Sequence, residues 1–151
     1  MHVLRRLVLL LIAGSAFAAA PVASVQSPSN FQLRDATVNT AGVSSWPVMP
    51  GDTVTAGNTA ATMRFIDGTV VTLAPNSRVK VQEKKDDLTL QLLSGSMAFV
   101  LAQSSALRVY SGDTLVQAQA GVTTTATAGG SAQAALPVGH APPAPPSLSR
   151  Y

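Results

Sequence analysis

The sequence predicts an all-β domain, either a compact sandwich or roll or a short β-solenoid of many short strands. Apolar residues recur at every second position in short runs between residues 63 and 93, which places them on one face of each strand. Turn-forming pairs such as Asp67-Gly68 separate these runs at close intervals. No stretch after residue 18 has the period of an amphipathic helix. Together these observations favour strands throughout the ordered part of the chain.

The clearest strands form a hairpin around a four-residue loop, residues 84–87. This loop places Val81 opposite Leu90 and Gln82 opposite Thr89. Since directly opposed residues share a face of the sheet, this register gives one apolar and one polar face. Its other pairs are Val79 with Leu92, Lys80 with Gln91 and Glu83 with Leu88.

The corner at Asp67-Gly68 leaves two arrangements open. A two-residue turn would scatter the apolar residues, whereas a three-residue loop from Asp67 to Thr69 pairs Phe65 with Val71. We therefore expect either a loop of at least three residues or a corner at which the two strands do not pair directly.

The remaining elements follow in order around these strands. Residues 19–33 are expected to be a flexible lead-in, because most of residues 21–30 are Ser, Pro and Val without a repeat. The β domain is expected over residues 34–125. Within it, residues 97–102 are apolar on both faces, which indicates a central strand; a buried helical turn is the alternative. Residues 115–120 are predicted as the last strand.

From this pattern we expect a core and a set of turn residues. The expected core residues are Phe65, Leu73, Val81, Leu90, Leu92 and Phe99. The expected structural turn residues are Gly51, Asp52, Asp67, Gly68, Pro75, Gly95, Gly112 and Asp113. The single tryptophan, Trp46, is interpreted as an anchor in the core or at its rim, and a sugar-stacking surface ring is the alternative.

The two ends of the chain indicate where the protein is located rather than how it folds. Residues 1–18 contain two arginines, a short apolar run and Ala16-Phe17-Ala18, the pattern of a secretory signal peptide cleaved after Ala18. A membrane anchor is the alternative, but the apolar run is well short of the ~20 residues that span a bilayer. Residues 126–151 are rich in Ala, Gly and Pro and predict a disordered tail. We therefore expect a periplasmic or secreted protein without a transmembrane segment after cleavage.

Charge and composition narrow the function classes. Without Arg5 and Arg6 the chain carries 8 Lys+Arg against 7 Asp+Glu, so no basic surface for nucleic acid is predicted. The chain contains no cysteine, so it folds without disulfides even in an oxidising compartment.

The expected domain contains few of the residue types that usually carry out catalysis. His2 and His140 lie outside the expected domain, which removes histidine-dependent nucleophile pairs and the usual zinc ligands. Two alternatives use carboxylates alone: a hydrolase, and a Ca²⁺ site at Asp86-Asp87, although Ca²⁺ prefers six or more oxygens. We expect no enzyme activity, no cofactor and no metal.

Several of these motifs together resemble the FecR-like domain, an extracytoplasmic module. They are Pro50 to Val54, Ala61 to Leu73 with its central Asp-Gly, Pro75 with Ser77, Leu88 to Leu92, Gly95, and Leu107 to Val116. The resemblance implies an all-β module for sensing, signalling or protein contact, here in a freestanding exported version. It therefore implies a protein partner, and a structural role on peptidoglycan or polysaccharide is the alternative.

Overall fold

The structure, a computed structural model, describes residues 19–130 and 133–134. The described residues contain strands and turns but no helix. The strands are β1 (Ala23–Gln26), β2 (Phe31–Leu33), β3 (Ala36–Val38), β4 (Trp46–Val48), β5 (Thr53–Thr55), β6 (Ala61–Phe65), β7 (Val70–Leu73), β8 (Arg78–Lys84), β9 (Asp87–Ser94), β10 (Ser96–Val100), β11 (Arg108–Ser111), β12 (Thr114–Leu115), β13 (Thr123–Thr127) and β14 (Gln133–Ala134).

These strands form two seven-stranded sheets. Sheet A has the order β14-β13-β10-β7-β6-β1-β4, and sheet B has the order β12-β11-β9-β8-β5-β2-β3. Neighbouring strands are antiparallel except for the pair β9 and β11, which is parallel because the intervening β10 belongs to the other sheet. The all-β prediction is confirmed, and the antiparallel pairing is that of a sandwich or roll rather than a parallel solenoid.

One hydrophobic core lies between the sheets, and alternate residues of nearly every strand contribute to it. In β8 the buried residues are Val79 and Val81, and in β10 they are Met97 and Phe99. All six residues expected in the core are at most 4% exposed. Trp46 on the edge strand β4 packs edge-to-face on Phe31 of sheet B, with ring centroids 5.5 Å apart, so it closes the core at its rim.

The predicted register of the β8–β9 hairpin is confirmed for every pair. The ladder extends one pair further than expected, to Lys84 and Asp87, so the turn itself contains only Lys85 and Asp86. Both turn residues have positive φ, 51° and 67°, which is the type I′ geometry that matches the twist of a hairpin.

The β6–β7 connection is a three-residue loop, as one of the two alternatives predicted, but it lies one residue earlier in the chain. It contains residues 66–68, and Phe65 donates its backbone N–H to the Thr69 carbonyl at 2.9 Å. Val71 therefore pairs with Met63 rather than with Phe65. Because the difference is two residues, each side chain keeps its expected face.

The expected flexible lead-in is wrong for part of its length. Residues 23–26 form β1, which lies between β4 and β6 and buries Ala23 and Val25 in the core. Residues 31–33 form β2 in sheet B. Segments of three or four residues are too short to show a clear alternation of apolar and polar residues. Their strand structure depends on pairing partners that lie up to 42 residues further along the chain.

The C-terminal boundaries also differ from the expectation. Within residues 115–120 only Leu115 is in a strand, at the end of β12. The next strand, β13, runs beside β10 and extends to Thr127, past the expected start of the tail at residue 126. Ala126 is fully buried. The expected signal peptide, residues 1–18, and most of the expected tail lie outside the described residues.

Two connections that carry the chain between the sheets pack against each other. Ser77, in the link from β7 to β8, accepts a hydrogen bond from the Ser96 N–H at 2.9 Å through its buried hydroxyl. Gly95, in the link from β9 to β10, lies directly over Ser77 with φ +78°. A Cβ on Gly95 would lie 2.8 Å from the Ser77 Cα, so only glycine fits this crossing.

Candidate functional site

Three aspartates precede or follow a glycine in turns, and the structure gives each a different environment. Asp52 follows Pro50-Gly51, Asp67 precedes Gly68, and Asp113 follows Gly112. Gly51 and Gly68 both have φ +92° and Gly112 has φ +58°, the left-handed backbone that these turns need. The environments of the three carboxylates decide which of them are available to a ligand.

The Asp52 carboxylate is buried and fully used within the fold. Its Oδ1 accepts from Arg34 Nε at 2.6 Å, and its Oδ2 accepts from Arg34 Nη2 at 3.3 Å and from the Met49 N–H at 2.8 Å. Arg34 lies in the type I′ turn between β2 and β3, so this pair connects that turn of sheet B to the link that carries the chain from β4 of sheet A to β5 of sheet B. A structural role accounts for all of these contacts.

The Asp67 carboxylate ends a chain of hydrogen bonds between two distant connections. The Ala102 N–H donates to Thr69 Oγ1 at 3.1 Å, and the Thr69 hydroxyl donates to Ser105 Oγ at 3.1 Å. The Ser105 hydroxyl then donates to Asp67 Oδ2 at 2.5 Å. The Thr69 N–H also donates to Asp67 Oδ1 at 2.8 Å. This network fastens the β6–β7 loop to the link between β10 and β11.

The pKa of Asp67 lies below its ordinary value of 3.8. Burial by itself raises the pKa, because it penalises the charged form. The hydrogen bonds from the Ser105 hydroxyl and from Thr69 outweigh that effect, since they favour the carboxylate. Asp67 is therefore an ionised hydrogen-bond acceptor and is poorly suited to act as a general acid or base near neutral pH.

Asp113 differs from the other two because it is exposed and forms no ion pair within the described residues. It borders a groove of about 250 Å³ on the outer face of sheet B, where Gln91 Nε2 donates to the Gly112 carbonyl at 2.8 Å. The groove is lined by Gln82, Thr89, Gln91, Tyr110, Gly112 and Asp113. We call this set of residues the polar groove.

A second groove, of about 450 Å³, lies at the β4 edge of sheet A and is more apolar. Ile66, at the tip of the β6–β7 loop, borders it and is 80% exposed. The groove is lined by Pro21, Ala23, Ser24, Ser45, Pro47, Arg64, Phe65 and Ile66. We call this set of residues the apolar groove.

The other predicted turn residues lie in turns or links between strands, and the two aspartates considered as Ca²⁺ ligands lie at a hairpin tip. Pro75 lies in the turn between β7 and β8, and Gly95 lies at the crossing described above. Asp86 and Asp87 are exposed at the hairpin tip, and Asp87 Oδ2 is 3.8 Å from Arg108 Nη2. Within residues 19–130 and 133–134 no group of three or more His, Cys, Asp or Glu residues could hold a metal ion.

Sequence reasoning missed the residues that connect distant parts of the chain. Ser105 lies 38 residues from Asp67, and neither its neighbours nor its spacing indicates the contact. For Arg34, the sequence indicates no role beyond that of the first residue of the expected domain. The polar groove was partly predictable, because the hairpin register already places Gln82, Thr89 and Gln91 on one face; the addition of Tyr110 depends on the parallel pairing of β11 with β9.

Comparisons with known proteins give one match. The sequence model of the family described as FecR protein matches residues 52–140, which is more than half of the chain. Neither the curated proteins nor the solved structures include a significant match. Among the described residues, no helix is long and apolar enough to cross a membrane. The family match agrees with the motifs noted in the sequence. The chain belongs to the FecR family.

Proposed function

We propose that this chain is an exported, non-catalytic FecR module that contacts a protein partner in the bacterial cell envelope and serves in sensing or signalling. Membership of the FecR family associates the chain with envelope signalling. The environments of two aspartates support a non-catalytic role, because Asp52 and Asp67 are occupied by contacts within the fold.

The single observation that carries the contact role is the apolar groove with Ile66 at its border. A large aliphatic side chain that is 80% exposed at a loop tip contributes nothing to the core. It lies beside Pro47 of the edge strand β4 and beside Arg64, which is the only charged side chain among the described residues that line the groove. Apolar surface with one charge at its margin suits a protein partner that presents apolar side chains and an acidic residue.

Site-specific photo-crosslinking in envelope extracts tests this assignment. A photoreactive residue at Pro47 should give one discrete protein adduct, whereas the same residue at Lys85, on the hairpin tip of sheet B, should not. Ile66→Asp should abolish the adduct because it places a charge on the contact surface. Equal labelling from both positions, or an adduct insensitive to Ile66→Asp, would contradict the proposed surface.

Export is tested separately by fractionation and N-terminal sequencing of the tagged full chain. We expect the processed protein outside the cytoplasm, beginning at Ala19. Retention in the cytosol with residues 1–18 intact would contradict the proposed location in the cell envelope. The crosslinking result would then be tested with cytosolic partners.

A further inference from the structure

The polar groove on sheet B is not used by the proposed protein contact, which lies on the other sheet. We propose that it binds a glycan chain that carries N-acetylated sugars. The inference goes beyond the proposed function, because it assigns a second ligand to a second surface. It does not require the protein partner to exist.

The side chains of the groove come from three neighbouring strands and oppose one another directly. Gln82 of β8 lies opposite Thr89 of β9, and Gln91 of β9 lies opposite Tyr110 of β11. Since directly opposed residues share a face, their side chains form one continuous polar surface. The strands fix the backbone of this surface, so it is organised before a ligand arrives.

The chemistry of these groups matches a sugar that carries an acetamido group. Each glutamine offers an N–H donor and a carbonyl acceptor, and so does an acetamido substituent. Tyr110 is half-buried and offers a ring edge or face with a hydroxyl at its tip, which suits an amphipathic ligand. The exposed Asp113 carboxylate can accept hydrogen bonds from sugar hydroxyls, because it forms no ion pair within the part of the chain that the structure describes.

Size and charge argue against other ligand classes. A volume of about 250 Å³ in an open groove is below the ~300–1,000 Å³ of typical drug-sized pockets. It suits one or two units of a polymer that lies across the sheet. A neighbouring groove on sheet B, which is distinct from the apolar groove and shares Gln82 with the polar groove, continues the surface to Lys80, Glu83 and Lys84. The mixture of both charges along this path does not favour a polyanion such as nucleic acid.

Binding of two soluble hexasaccharides to the purified chain tests the proposal. We expect calorimetric or NMR titration with the hexamer of N-acetylglucosamine to give a Kd at least tenfold lower than titration with maltohexaose, which lacks acetamido groups. Gln82→Ala and Tyr110→Ala should each weaken binding of the N-acetylated hexamer by tenfold or more. The matched control is Gln26→Ala, an exposed glutamine on β1 of sheet A, which should leave the Kd unchanged.

Several outcomes would overturn the assignment. They are no binding of the N-acetylated hexamer, equal binding of both hexasaccharides, and full binding by the Gln82→Ala variant. Saturable binding of an extended peptide in the groove, without binding of either sugar, would also overturn it. Thermal unfolding of each variant shows whether lost binding reflects an unfolded protein, and Gln82→Ala should remain folded because Gln82 is exposed. Crosslinking from Pro47 should be unaffected by Gln82→Ala, so the two proposals can fail independently.

Discussion

The two sheets present the same kind of face to the core but different faces to solvent. Inward, both bury aliphatic and aromatic side chains. Outward, β7, β10 and β13 of sheet A carry small or uncharged residues, such as Thr72, Ala98 and Thr125, which are direct neighbours across the strands. Outward from sheet B, β8, β9 and β11 carry residues such as Lys80, Gln91 and Tyr110 in the corresponding row.

This difference shows where the fold leaves room for function. The inner residues are constrained by packing, whereas an outward residue can change its chemistry without disturbing the core. The outer faces can therefore diverge while the sheets stay matched. In this chain one outer face carries an apolar groove at its edge and the other carries the polar groove.

The largest expected effect separates the inner from the outer face of a single strand. Leu90→Ala should lower the free energy of unfolding by about 2–5 kcal/mol, because Leu90 is fully buried and the change leaves a cavity. Thr89→Ala, one residue earlier on the outer face, should cost about 0.5 kcal/mol or less. Denaturant unfolding of both variants measures the contrast. Equal losses would show that the two faces of β9 are not distinct.

The next prediction concerns the crossing between the sheets. Gly95→Ala should lower the free energy of unfolding by about 3 kcal/mol, because a Cβ is unfavourable at φ +78° and would also collide with Ser77. Gly129→Ala is the matched control: Gly129 has φ +76°, but a Cβ there would meet nothing within 4 Å. It should lose only the backbone term, about 1–2 kcal/mol. A thermal melt that ranks the two equally would mean that the crossing is not tightly packed.

A smaller loss is expected at the hydrogen-bond network. Ser105→Ala removes the hydroxyl that donates to Asp67 and that accepts from the Leu107 N–H at 3.2 Å. Because partly buried groups lose their partners, the free energy of unfolding should fall by about 1–3 kcal/mol. The neighbouring exposed Ser104→Ala should have almost no effect. An unchanged midpoint for Ser105→Ala in urea would contradict the assigned role.

The smallest effect is a pH dependence. The pKa of Asp67 in the folded protein lies below 3.8, so its ionised form stabilises the fold above that pH. This stability is lost as the pH falls through the folded pKa. Between about pH 5 and about pH 3, Asp67→Asn should therefore lose less stability than the unmodified chain. Ser105→Ala should lessen the same dependence, since it removes one of the hydrogen bonds that lower the pKa. Identical pH profiles for all three proteins would show that Asp67 does not couple folding to pH.

Local signals in the sequence predicted the parts of the fold that are local. The β8–β9 hairpin was predicted with its register, because alternation on both strands and a short polar loop leave one consistent pairing. The prediction failed at β1, because its four residues show no clear alternation and form a strand only by pairing with β4 and β6. It failed again at β13, Thr123–Thr127, because no strand is predicted after residue 120 although threonine favours strands.

The candidate sites divide in the same way. The sequence predicts the turns in which an aspartate adjoins a glycine, but any partners of these carboxylates come from other parts of the chain. Asp52 is paired by Arg34 and Asp67 by Ser105, while Asp113 is left exposed. Asp52 and Asp113 each stand in the triplet Gly-Asp-Thr, at residues 51–53 and 112–114, so the local sequence does not distinguish them. The difference arises only when the sheets assemble.

The interleaving of the two sheets has a kinetic consequence. Ala23 pairs with Phe65, and β10 pairs with β13 rather than with a sequence neighbour. Neither sheet can be completed while the chain is still emerging, so folding should be slow for its size, in the range of milliseconds to seconds. A polypeptide that folds slowly stays unfolded long enough to pass through a narrow translocation channel, which the export proposed above would require.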